Sequence, residues 1–158
     1  MDNTASLIFP ERRVVDASFL RRFAAILIDT IVLLIPDIFL RYIVGAGNIM
    51  QIFYMDSDLL FRTTIYYLLS TIISWLYFSL QESGVHQATI GKRAMGIRVT
   101  NMEGFRISFA NATGRYFAKT ISFLIILMGY FMVLWDDKNQ GLHDKLANTL
   151  VVKDTLPI

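Results

Sequence analysis

Apolar residues along the chain gather into three long runs. The first extends from about Phe19 to Val44, the second from about Thr63 to Leu80, and the third from about Phe117 to Trp135. Crossing about 30 Å of hydrocarbon takes about 20 mostly apolar residues in a helix. The second run carries no formal charge. The first contains Asp29 and, past Pro36, Asp37. The third is uncharged from Thr120 to Trp135, short for a full crossing, and is divided by Gly129. None shows the wide charged face of a helix in a soluble bundle. The pattern predicts an all-α integral membrane architecture with helices over about 19–44, 63–80 and 113–135. Pro36 is expected to kink or end the first. The third is expected to be re-entrant or broken, as backbone is allowed to be where protein or a water-filled cavity covers it. A cleaved signal peptide fits poorly, because the first run is long, contains Arg22 and Asp29, and is followed by no small-x-small site.

Between the second and third runs the period changes. Ile97 and Val99 alternate with Arg98 and Thr100, and Phe105, Ile107 and Phe109 alternate with Arg106 and Ser108. Turn residues Asn101–Gly104 lie between. This predicts a β-hairpin over about 95–109. Two strands alone are marginal in water, and Thr149–Lys153 offers a third. Charge supplies an orientation. Arg12, Arg13, Arg21 and Arg22 precede the first run, and six Lys/Arg lie from Lys92 to Lys119, whereas 45–62 holds only Arg62. By the positive-inside rule the N-terminus and the 81–119 connection are cytoplasmic. The hairpin and 149–153 would then form a small cytoplasmic β element. The expected organisation is a cytoplasmic segment 1–18, a membrane domain 19–153 and a tail 154–158, in a multi-pass protein of the cell's inner membrane.

Composition narrows the function. Charged residues make up 18% of the chain, against about 25% in soluble domains. No cysteine is present, which excludes disulfides, thiolate metal sites and a cysteine nucleophile. The net charge of +2 gives no case for nucleic acid. Gly91-Lys92-Arg93 lacks the glycine spacing and the Ser/Thr of a phosphate loop. It reads instead as a basic cap meeting anionic headgroups. His143-Asp144 suggests a pH-sensitive pair, but no third ligand accompanies it, so no metal and no cofactor are expected. No nucleophile elbow marks a hydrolase, and an enzyme is not expected.

Ionisable groups inside the apolar runs carry the functional argument, because each costs at least about 2.5 kcal/mol at a helix centre. Asp29 follows Arg22 by two turns, on nearly the same face, with Ala25 between them. It is either a proton or cation site tuned by Arg22, or a packing residue bonded to another helix. Asp37 is expected to sit in the interface beside Arg41. Thr63, Tyr67, Ser70, Ser74, Tyr77 and Gln81 form a stripe on one face of the second helix, better suited to holding helices together than to lining a path. Tyr66, Trp75 and Phe78 read as lipid-facing or interfacial aromatics. Arg115 and Lys119 open the third run. Arg115 is expected to snorkel to the surface or to pair with Asp144 or Asp29.

Four ordered blocks resemble the RDD family of small membrane proteins. They are Arg21-Arg22-Phe23-Ala24-Ala25-Ile26-Leu27-Ile28-Asp29, the stretch from Ala88 to Val99, Gly114-Arg115-Tyr116, and the stretch from Leu142 to Val152. The resemblance covers about residues 18–153. It maps the family's arginine and first aspartate onto Arg22 and Asp29, and its second aspartate onto Asp144. Asn148, where the family often has glycine, and Asp136-Asp137-Lys138 depart from its pattern. The resemblance implies transport of an unidentified ligand, with cation/proton exchange proposed for some members. Two expectations follow. One is a transporter or transporter subunit exchanging a monovalent cation for protons at Asp29. In it Asp144 pairs with Arg22 or Arg115, His143 stands beside them, and a homo-oligomer encloses the path. The other is a non-transporting partner that regulates a second membrane protein and uses its Arg and Asp residues as a structural ion-pair core.

Overall fold

The computed structural model describes residues 15–47, 56–124, 132–136 and 139–154. Helix α1, Phe19–Val44, is one continuous element that runs through Pro36 rather than ending there. It stops at Gly45, whose φ of +66° is left-handed and whose N–H closes on the Arg41 carbonyl at 3.0 Å. Its burial is inverted relative to a water-soluble helix. Arg22, Ala25 and Asp29 are its buried residues, while Ile31, Ile35 and Phe39 are more than half exposed. Large apolar side chains left open along a whole helix fit a lipid solvent. Helix α2, Ser57–Glu82, extends the second apolar run at both ends. Asp56 caps it by accepting the Leu59 N–H at 2.8 Å. Among the described residues, α1 and α2 are the two helices long and apolar enough to cross a membrane.

A short helix, α3 (Ile90–Ala94), packs on α1 and leads into β1, Ile97–Asn101. The expected hairpin does not form. The chain does turn at Asn101–Gly104, where the Asn101 carboxamide accepts the N–H groups of Glu103 and Phe105. Residues 105–108, however, are not a strand. β1 pairs instead with β2, Thr149–Lys153, antiparallel, with Val99 opposite Val151. The reason is burial. Leu150, Val151 and Val152 are all buried, so β2 offers an apolar partner on both faces, whereas Phe105 is exposed. Residues 15–17 flank β2, with Ala17 N–H bonded to the Val151 carbonyl and Lys153 N–H to the Val15 carbonyl. Ala17, Ala25, Ile97, Val99, Ile107, Ala112 and Val151 form the apolar core beneath this sheet.

Helix α4, Phe109–Leu124, begins four residues before the expected third helix. Its inward side carries Ala112, Arg115 and Ala118, with Phe117 exposed, so over this stretch it is amphipathic rather than uniformly apolar. Residues 125–131 lie outside the described residues, and with them part of the expected 113–135 segment. A 3₁₀ turn at Met132–Leu134, helix α5 (Leu142–Leu146) and β2 complete the chain.

Candidate functional site

Asp29, in the first half of α1, is 1% exposed. Its Oδ1 accepts hydrogen bonds from the Tyr77 hydroxyl (2.8 Å) and the Gly91 N–H (2.8 Å), and its Oδ2 from the Thr89 hydroxyl (2.6 Å). Thr89 is also the N-cap of α3, accepting the Lys92 N–H. The first turn of α3 therefore wraps the carboxylate. Gly91 permits this close approach, since a Cβ there would lie 2.1 Å from the Ala25 carbonyl oxygen and 2.8 Å from Asp29 Cγ. Arg22, two turns earlier, does not reach Asp29. None of the described ion pairs includes Asp29.

Arg22 belongs to a second, ionic group. Its Nη1 meets Asp144 Oδ2 at 2.6 Å, while its Nε and Nη2 donate to the carbonyls of Ala17 and Val151. Arg115, 2% exposed, bridges two carboxylates. It lies 2.8 Å from Asp144 Oδ1 and 3.3 Å from Glu82 Oε2. It is buried in this layer, so it does not snorkel. Glu82 also holds Lys92 Nζ at 2.6 Å and Lys119 Nζ at 3.8 Å. His143 Nε2 stands 3.5 Å from Asp144. The carboxylates of this layer are thus each matched by cations, which offsets the cost of burying them.

The electrostatics follow from this packing. Burial alone would raise the Asp144 carboxyl, but the guanidinium groups of Arg115 and Arg22 hold it well below the usual carboxylate range. Burial pushes His143 down to about 3 against the raising influence of Asp144, so its imidazole is neutral at physiological pH. Burial likewise pushes the Lys92 ammonium down to about 7, opposed by Glu82.

Four readings of the sequence need correction. Lys92 is not a headgroup contact; it is buried against Glu82. Tyr66 is 4% exposed and donates to both oxygens of Asp37 at 2.8 Å. Trp75 donates to the Thr113 hydroxyl and packs on Phe109 and Phe117, at the seam of α2 and α4. Phe78 carries Lys119 Nζ 4.4 Å above its ring. Glu82 escaped the sequence reading, and Thr89 and Gly91 entered it only within longer stretches, with no part assigned to them at Asp29.

The exposed apolar helices and the buried ionic layer together define a small helical membrane protein. The chain belongs to the RDD family, whose match covers residues 16–148. It is similar to an uncharacterized protein of Bacillus subtilis (strain 168), YxaI, with 34% identity over 148 residues, covering 86% of this chain and 96% of that protein. No solved structure matches it. The family's arginine and two aspartates, carried over onto Arg22, Asp29 and Asp144, fall in two linked groups. Arg22 and Asp144 form a pair, and Asp29 stands apart under α3.

Proposed function

We propose that this protein exchanges a monovalent cation for protons across the membrane, with Asp29 as the exchanging group. The observation that supports this reading is a carboxylate shut off from water in an apolar helix and held by three neutral donors. Hydroxyls both donate and accept. Tyr77 and Thr89 can donate to the carboxylate, and either can accept from the carboxylic acid after rotating. Both protonation states are thus satisfied with the backbone in place. α3 couples the two groups, since Thr89 and Gly91 hold Asp29 while Lys92 holds Glu82. A change at Asp29 therefore loosens α3 and strains the Lys92–Glu82 pair. Arg22, Arg115 and Asp144, with His143 beside them, close this end. Two long spans enclose little volume, so the working unit is a homo-oligomer in the bilayer. The basic residues of this end orient it, with the N-terminus, toward the cytoplasm in an inner, multi-pass location.

A second reading is a non-transporting partner that binds and regulates another membrane protein. It is favoured by Gly91, whose contact with Ala25 leaves no room for an ion on that side of Asp29. Neither reading includes enzymatic chemistry. Cation and proton flux in proteoliposomes, for the intact protein and Asp29→Asn, separates them. Exchange that disappears in a folded Asp29→Asn supports the first reading. Exchange unchanged in Asp29→Asn removes that residue from the mechanism. Absence of flux from intact, folded protein favours the partner.

A further inference from the structure

We propose that the groove between α1 and α2 at Asp37 binds a small organic cation, an ammonium group carried on an apolar body. A cavity of about 290 Å³ lies there, near the small end of ligand cavities at about 300–1,000 Å³. Leu33, Leu34, Ile73 and Phe78 supply its apolar walls, and Asp37 and Ser70 supply polar groups. Asp37 lies eight residues beyond Asp29, about 12 Å along α1 at 1.5 Å per residue.

The charge of Asp37 selects the ligand. Its oxygens accept from the Tyr66 hydroxyl and from Ser70, all at 2.8 Å, and both donors are neutral. None of the described ion pairs includes it. Arg41, the nearby base, lies over the Tyr66 ring at 4.9 Å from its centroid rather than on the carboxylate. A carboxylate at this depth gains from a cation that leaves water. An anion is repelled. A bare divalent metal ion is poorly served, because such ions take about six or more oxygens and most of this wall is carbon. An ammonium with a hydrocarbon body matches both parts of the cavity, placing its charge at Asp37 and its body between Leu33, Leu34 and Ile73.

The site is independent of exchange at Asp29, and its test measures binding alone. Intact protein in lipid nanodiscs is titrated calorimetrically with cyclohexylammonium and with cyclohexanol, its uncharged counterpart, after subtraction of empty discs. The expected result is saturable binding of cyclohexylammonium, with cyclohexanol weaker by about tenfold or more, a difference of about 1.4 kcal/mol. Asp37→Asn removes the charge, and Ser74→Leu fills the cavity while leaving Asp37 and its donors in place. Each is expected to weaken cyclohexylammonium at least about tenfold. If Asp37→Asn does not fold, Ser74→Leu decides. The proposal is overturned if intact protein shows no saturable binding, or if the folded variants bind as the intact protein does. It is also overturned if cyclohexanol binds equally well, which would leave an apolar groove suited to a lipid chain.

Discussion

Replacing Gly91 with alanine tests whether the cradle around Asp29 depends on backbone contact. The added Cβ would sit 2.1 Å from the Ala25 carbonyl oxygen, 2.8 Å from Asp29 Cγ and 2.9 Å from Asp29 Oδ1. The nearest of these atoms is backbone, and the Asp29 carboxylate is pinned by its three donors. The Ala25 carbonyl is the acceptor for Asp29's own amide in the regular α-helix, so α1 cannot yield locally without losing a helical bond. α3 must therefore back away by about 1 Å to restore ordinary contact distances. That movement stretches the 2.8 Å bond from Gly91 N–H to Asp29. Overpacking of this kind costs about 1–3 kcal/mol, and a buried acceptor that loses a donor costs a further 1–3 kcal/mol or so. Thermal unfolding in detergent, followed by tryptophan fluorescence, is expected to fall by on the order of 10 °C. Gly114→Ala is the control. A Cβ at Gly114 meets nothing within 4 Å, and the residue lies inside α4. There alanine should stabilise by about 0.5–1 kcal/mol through helix propensity. If Gly91→Ala unfolds at the temperature of the intact protein, the close packing of α3 on Asp29 is wrong.

Arg115→Leu strips both Glu82 and Asp144 of a cation and is expected to cost about 3–5 kcal/mol in chemical unfolding, whereas Arg115→Leu combined with Asp144→Leu should cost less than the single variants summed. Acid should destabilise the fold. His143 is held at about 3 against an ordinary 6.5, so the unfolded chain binds the extra proton between those values and stability falls with pH across that window. The loss is about 2 kcal/mol from pH 7 to 5, and His143→Gln should flatten it. Asp144, also held low, adds a further loss below about 4, its ordinary carboxyl value. In the cysteine-free chain, single cysteines at Val15 and Asp154 should label from one face of the membrane and a cysteine at Ser57 from the other. Labelling of Val15 and Asp154 from opposite faces would contradict the pairing of residues 15–17 with β2.

Periodicity reported the long helices well because a helix in lipid must be apolar over most of its length, and no other property decides it. The apolar run rather than a cap marked the start of α1, since Ser18 makes no side-chain cap bond, and the helix runs through Pro36 to Gly45. The β partner was not readable. Both 105–109 and 149–153 alternate or carry β-branched residues, and the choice rests on which of them can bury its side chains, a property of tertiary packing. In the site, Arg22 and Asp29 were legible as charges that apolar surroundings must justify, and Asp144 only through the family resemblance and its neighbour His143. Glu82 and Lys92 were not, because each stands at the edge of a span, where a solvated charge is the ordinary expectation. Thr89 and Gly91 act through an N-cap hydroxyl and a missing Cβ. Such contributions show only when another helix is seen to lie against them.

The ionic layer also explains the course of the chain. Arg22 lies at the start of α1 and Glu82 at the end of α2, and Arg115 touches both Glu82 and Arg22's partner, Asp144. The start of α1 and the end of α2 are thus at one level, with Gly45 and Asp56 at the far end. Arg115 and Asp144 are 2.8 Å apart, so Asp144 lies at this level too. β2 then runs beside β1 and residues 15–17, on the same body. Desolvating these charges is costly, and hydrophobic replacements of a buried ion network are often no less stable. What a hydrophobic replacement would lack is register. An apolar contact tolerates sliding by a residue, but an arginine shared between two carboxylates does not. In a chain whose apolar runs could stack in several ways, the Arg115 bridge selects the arrangement in which α4 and α5 meet the start of α1 and the end of α2.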